Sequence, residues 1–246
     1  MSPDMRKHRG AHPADRALFA ADQLPKLQSA VSDLSWLLTR SYSMKGAVKL
    51  VGDRFGLNER QRLAMSRAAC SDQSKSQRAI AHVPFAAVKE QNFIIDGFNL
   101  IITIEAALSG GLLMRCRDGC IRDLSSIHGS YRSVEETEAA ILLIGESLGA
   151  LSTASVLWML DKPISNSGRL AQRIRRLAAQ RGWIWSVELA FNPDREIAGS
   201  NRVVISSDGP LLDQVQHWTN LAQDIIEKDI ADPWLIDLKS DTDFSL

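Results

Sequence analysis

Three aspartates stand where short apolar runs stop. Asp96 follows Phe93-Ile94-Ile95, Asp161 follows Val156-Leu157-Trp158-Met159-Leu160, and Asp208 follows Val203-Val204-Ile205-Ser206-Ser207. Short runs without polar alternation are the mark of strands buried on both faces, as in a parallel sheet. Working residues of such a sheet lie just beyond the carboxyl ends of its strands. The three acids are therefore expected along one edge. Carboxylates gathered in a half-buried site repel one another and become tolerable with a divalent cation between them. Oxygen donors without His or Cys favour Mg2+ or Mn2+ over Zn2+. Such ions polarise a phosphoryl oxygen and stabilise the leaving oxygen of a displacement at phosphorus.

Two more acids are candidate ligands, Asp213 about one turn past Asp208, and Glu136. Structural readings compete. Glu136 with Ser133 makes a capping box, Asp208 can cap a helix opened by Pro210, and Asp194 either joins the site or forms a turn with Asn192-Pro193. Asp118-Gly119 reads as a type I′ hairpin turn, which makes Asp118 a turn residue rather than a catalyst.

A cationic strip follows the second acid. Arg169, Arg173 and Arg176 share one face of the helix expected over 169–181, with Arg175 and Arg181 nearby and no lysine or acid in between. Arginine suits forked phosphate contacts, although a solvated face has the same spacing. Acids, a hard cation and arginines together point to phosphodiester hydrolysis. A serine hydrolase would need a Gly-x-Ser-x-Gly elbow, and nucleotide-binding loops would need glycine fingerprints. Neither pattern is present.

The elements that must position these groups alternate as strand, helix, hairpin, helix, strand, helix, strand, strand, helix. That order predicts an α/β fold, a three-layer sandwich with a mainly parallel sheet. The last helix is expected to be long, running from about Leu211 with Leu212, Val215, Trp218, Leu221, Ile225 and Ile226 inward. Ahead of the sandwich, apolar stripes and caps predict a small all-helical domain. Its first helix starts near Pro25, its second is capped by Ser43 and ended by Gly56, and its third opens on Asn58 and Gln61. The expected division is a loose arm over 1–21, a basic helical domain and linker over 22–90, the α/β domain over 91–228, and an acidic tail over 229–246. Residues 70–90 read as a linker or a polar helix.

Charge is uneven although the net charge is zero: residues 1–90 carry 15 Lys+Arg against 8 Asp+Glu, and residues 91–246 carry 14 against 21. Attraction between the two halves explains this, as does a nucleic-acid surface on the basic half. Its helix-turn-helix shape favours packing or RNA clamping over DNA reading. Three cysteines and five histidines without ligand spacing argue against zinc or a disulfide framework. With no apolar signal core and no run approaching about 20 apolar residues, the expected location is cytoplasmic.

Ile95-Asp96-Gly97-Phe98-Asn99-Leu100 resembles the opening strand motif of PIN-like nucleases, particularly the NYN branch. Ser206-Ser207-Asp208 resembles their later (Ser/Thr)-x-Asp, and Asp161 matches a middle-strand acid of that fold. The two-part layout, with Ala47-Val48-Lys49-Leu50-Val51-Gly52-Asp53-Arg54 in its front part, resembles an uncharacterised prokaryotic family with a helical domain before a PIN-like one. The resemblance spans roughly 92–228. It implies a Mg2+- or Mn2+-dependent ribonuclease with Asp96, Asp161 and Asp208 as ligands, and RNA as partner. Backbone contacts would come from Asn99, Ser165, Ser206, Arg169, Arg173 and Arg176. No organic cofactor or membrane is implied, and a homodimer is allowed. PIN domains carry a further acid on an early helix, for which Glu105, Glu135, Glu136 and Glu138 compete, and the hairpin at Asp118 is an insertion to the minimal pattern. A silent PIN-like module binding nucleic acid or protein, and a phosphoesterase on a small nucleotide, are the alternatives.

Overall fold

The structure, a computed structural model, describes residues 8–125 and 129–239. Helices form in the front half where an apolar stripe meets a cap. After a single turn, α1 (Asp15–Leu18), α2 (Leu24–Thr39) takes Pro25 in its first turn and buries Leu27, Ala30, Val31, Leu34 and Leu37. Proline is tolerated there because that N–H has no helical partner anyway. Ser43 caps α3 (Met44–Arg54), an Asn58–Gln61 capping box opens α4 (Glu59–Ala68), and Ser71 caps α5 (Asp72–Ala81). The polar stretch after residue 70 is thus a helix.

The five-stranded sheet runs β5-β4-β1-β6-β7 and every pairing in it is parallel. Its strands are β1 (Asn92–Asp96), β4 (Ser155–Asp161), β5 (Trp185–Ala190), β6 (Val203–Ile205) and β7 (Trp218–Thr219). On one face lie α6 (Gly97–Leu108), α7 (Thr137–Gly149), α8 (Ser167–Arg181) and α11 (Leu221–Asp229), packed on Phe93, Ile95, Trp158 and Ile205. On the other lie α9 (Pro193–Ala198), α10 (Gly209–Leu212) and the end of α5, packed on Ile94, Met159 and Val204. Alternate residues of β1 therefore feed two different cores, which is why the run shows no polar alternation. The fold is a three-layer α/β sandwich with a helical region before it.

A second sheet, β3-β2-β8, joins the two parts. Its strands β2 (Leu113–Arg115) and β3 (Ile121–Asp123) are antiparallel, and β8 (Leu235–Asp237) adds in parallel to β2. Leu112, Met114, Ile236 and Leu238 bury their side chains in the core of the helical region.

Several expected elements differ. The arm is not loose over 8–21: Asp15 is fully buried and ion-paired to Arg60, and Arg9 is ion-paired to buried Glu105. Two charges in a polar stretch found buried partners far along the chain. The tail forms a strand at Leu235–Asp237, with the Arg16 guanidinium 3.9 Å above the Trp234 ring. Residues 1–7 and 240–246 of the expected arm and tail lie outside the described residues. The long last helix is broken into α10, β7 and α11, although its apolar spacing was helical. The open edge of β6 takes the chain instead: Val204 N–H donates to His217 O at 3.0 Å, and Asn220 then caps α11. Ser133 caps nothing, because α7 begins later and Val134 N–H donates to Thr137 Oγ1. The hairpin turns as Cys116–Gly119 with Gly119 at φ +88°, the three-residue bulged loop rather than a two-residue type I′ turn. Among the described residues no helix is long and apolar enough to cross a membrane.

Candidate active site

Asp96 ends the central strand and sits between its neighbours' ends. β1 pairs with β4 on one side, placing Asp96 opposite Met159 and two residues short of Asp161. It pairs with β6 on the other, whose continuation is Ser206-Ser207-Asp208. The turn after Asp96 must be glycine. A Cβ on Gly97 would lie 2.8 Å from the Met159 carbonyl oxygen and 2.6 Å from Leu160 Cδ2. Only Gly lets α6 leave the sheet this close to β4.

A hydrogen-bonded frame fixes the β6 side. Ser206 Oγ donates to Asp96 Oδ2 at 2.8 Å and accepts from Asp208 N–H at 3.0 Å. Asn99 Oδ1 accepts from Ser207 N–H at 2.8 Å and from Ser207 Oγ at 3.0 Å. Arg122 Nε donates to Ser207 O at 2.6 Å from behind. Asp208 caps α10, its Oδ2 accepting from Leu211 N–H. Capping engages one oxygen of that carboxylate, so both roles foreseen for Asp208 are compatible.

The acids share an unbalanced field. Burial pushes the Asp96 carboxyl up to about 7 against the Ser206 hydrogen bond, with Asp208, Asp194 and Asp161 adding repulsion. Burial and Asp194 raise Asp161, and burial and Asp208 raise Asp194. Asp194 therefore joins the site. It lies in the first turn of α9, whose cap is Asn192, so the Asn-Pro-Asp stretch is a helix start, not a turn. The readable signal was an acid just after a strand, the same placement as the other three.

Other candidates are engaged elsewhere. Asp213 makes a two-pronged ion pair with Arg78 at 2.7 and 2.8 Å. Glu136 meets His8 at 2.6 Å. Both remain outside the set of acids acting on Asp96. Glu105 is buried against Arg9, Tyr131 and Thr137 and holds the N-terminal segment. Arg176 pairs with Glu138 at 2.9 Å across the exposed α7–α8 seam. Arg169 is exposed in the first turn of α8, the end nearest the acidic edge, with half-buried Arg173 one turn on. Ser165 is exposed in the loop after Asp161, its backbone bonded to Gly129 and Tyr131. In the helical region Arg60 binds Asp15, Arg62 binds Asp53, and Arg67 donates to Asp123 O. Part of the basic excess is matched across the two halves, by Arg9 on Glu105 and Arg78 on Asp118 and Asp213.

The donor set fits a hard cation chemically: carboxylate oxygens from four element ends, mutually repelling until a positive charge is added. Among the described residues no group of three or more acids, histidines or cysteines is placed to hold a metal ion. A Mg2+-type ion is compatible with that spread because it binds through one or two carboxylates and keeps several waters.

Beside Asp208 the edge opens into a cleft of about 550 Å3 between the sandwich and the helical region. Nothing in the sequence points to it, because its walls come from separate stretches within 38–78, 98–125 and 207–213 that only folding brings together.

A family model described as "Domain of unknown function (DUF5616)" matches residues 85–224, and one described as "Protein of unknown function (DUF434)" matches residues 26–79. The "Uncharacterized protein MJ0935" of Methanocaldococcus jannaschii is 28% identical over 203 residues, covering 82% of this chain and 97% of the relative. No solved structure matches the chain.

Proposed function

The chain belongs to the DUF5616 family, and from the geometry of its acidic edge we propose that it is a PIN-like, Mg2+- or Mn2+-dependent endoribonuclease working in the cytoplasm. The observation that carries the reading is the acidic edge: Asp96, Asp161, Asp194 and Asp208 leave four neighbouring element ends, and the other three raise the proton affinity of Asp96 on top of its burial. Acids held together without internal cations are costly unless a ligand uses them.

In this reading Asp96 and Asp161, with Asp194 and Asp208 at the rim, hold the cation, directly or through its waters. The cation, when bound, supplies Lewis-acid polarisation of a phosphoryl oxygen and charge neutralisation at the leaving oxygen. Ser206 holds the Asp96 carboxylate in one orientation. Asn99, by fixing Ser207, sets where Asp208 begins its helix. Arg169 and Arg173, one helical turn apart on α8, contact RNA phosphates beyond Asp161, and Arg169 is the nearer to the edge. Water adds to phosphorus and the P–O bond to the departing ribose oxygen breaks, leaving one phosphate-ended and one hydroxyl-ended strand.

The test is cleavage of labelled single-stranded and structured RNA with Mn2+, with Mg2+ and with chelator, alongside Asp96→Asn and Asp208→Asn. Metal-dependent cutting lost in both variants is the expected result. Salt-sensitive RNA binding without cutting would mean a silent binding module. Turnover of small nucleotides alone would mean a phosphoesterase.

A further inference from the structure

The cleft beside Asp208 has walls of different character. The helical region contributes Leu38, Met44, Ser66 and Ser71, and the sandwich contributes Phe98, Asn99 and Ile102. Its volume of about 550 Å3 falls inside the roughly 300–1,000 Å3 of pockets that hold small organic ligands. The charges on its lining cancel. Arg78 is held by Asp118 and Asp213, Arg122 by Asp118, and Arg67 lies 3.9 Å from Asp123. A phosphate gains little from guanidiniums already matched by carboxylates. An uncharged, flat, hydrogen-bonding body gains more, since it meets apolar surface, serine hydroxyls and an amide. Among the described residues the Asn99 side chain is hydrogen-bonded through Oδ1, and its amide is part of the lining. Asp208 belongs to both the acidic edge and the cleft wall.

We infer that the cleft is a ribonucleoside pocket: it takes the base and ribose of a nucleotide whose phosphate lies at the acidic edge. The helical region completes it, so this region selects the substrate residue as well as stabilising the fold. That purpose rests on the phosphodiesterase reading; occupancy of the pocket by a nucleoside does not. A nucleoside can come from an RNA chain or from a free nucleotide, and the chemistry of the pocket is common to both.

The experiment titrates the full chain, in chelator, with adenosine, guanosine, cytidine and uridine separately, by calorimetry. At least one should bind with a dissociation constant of about 0.1 mM, as expected for a ligand of this size at ordinary efficiency. Affinity should change little between low and high salt. Met44→Trp, at a half-exposed helix start, should weaken binding about tenfold or more by filling the cleft. Should that variant misfold, Ser66→Tyr gives the same obstruction from α4. Hydrogen exchange on the unaltered chain should show protection at 66–74 and 207–213. A trinucleotide binding more tightly than its nucleoside marks RNA as the source, and equal affinity marks a free nucleotide. Absence of binding by all four nucleosides, or protection elsewhere, overturns the inference. No cation or turnover is involved, so a chain that never cuts RNA can still pass, and one that cuts can fail.

Discussion

The acids at the sheet edge and the acid at the junction with the helical region behave in opposite ways. At the sheet edge, burial and then Asp208, Asp194 and Asp161 raise Asp96 to about 7, burial and Asp194 raise Asp161, and burial and Asp208 raise Asp194. At the junction with the helical region, burial also opposes ionisation of Asp118, but Arg122 and Arg78 pull its carboxyl down to about 2. Burial is common to both; the cations differ. The junction carries its own positive charge and is finished as a structure. At the edge the charges acting on Asp96 are those of other acids, and in the proposed reading a bound cation completes it.

The largest effect that tests this contrast is at Asp96. Asp96→Asn should reduce metal-dependent cleavage by about 10²-fold or more, because it removes a ligand of the cation that polarises the phosphate, while the fold survives. The same residue gives a pH signature. Its folded carboxyl titrates higher than the unfolded one, so its contribution to stability is full below about 4 and is lost as pH rises through about 7. Thermal melts in chelator should fall across that window, and Asp96→Asn should flatten the fall. Mn2+ should restore stability at the upper end.

Next comes Asp118→Ala, which strands Arg78 and Arg122 without their shared carboxylate. A loss of about 3–5 kcal/mol in urea unfolding is expected. Here the sign reverses: the depressed carboxyl gives stability above about 3.8 that disappears as pH falls through about 2. If Asp118→Ala cost no more than Asp96→Asn, the division into a structural and a functional set would collapse.

Asn99→Ala is a smaller probe of how the two regions connect. It removes an acceptor from Ser207, and about 1–2 kcal/mol of stability is expected to go with it. Cleavage should drop as well, because Asp208 loses its fixed starting point. Smallest of all is Arg176→Ala. Its exposed pair with Glu138 is worth under about 1 kcal/mol, and RNA affinity should stay within twofold. Arg169→Ala should instead weaken RNA binding and flatten its salt dependence. Equal effects at 169 and 176 would make the whole strip, not its first turn, the contact surface.

The charge division between the halves is explained by the same comparison. Arg78 reaches Asp118 and Asp213, and Arg117 reaches back to Asp72. Attraction between domains accounts for part of the basic excess, while Arg169 and Arg173 belong to the acidic half.

What the sequence determined by itself was local and periodic. Strand ends at Asp96 and Asp161, and the one three residues before Asp208, were legible because a run buried on both faces must be apolar throughout and stop where it meets water. The caps Ser43 and Asn58 were legible because a helix start needs an acceptor within three residues. Tertiary structure decided whatever depended on a partner far along the chain. Residues 211–226 had helical spacing, yet the unpaired edge of β6 drew Trp218 and Thr219 into a strand, since ladder hydrogen bonds at an open edge outweigh a modest helix preference. Asp213 and Glu136 looked like ligands until Arg78 and His8 claimed them. Asp118 looked like a turn residue, and only the fold brought in the two guanidiniums that make it a structural anion. Charge type is written in sequence; whether a charge is already neutralised is settled by distance, and distance exists only after folding.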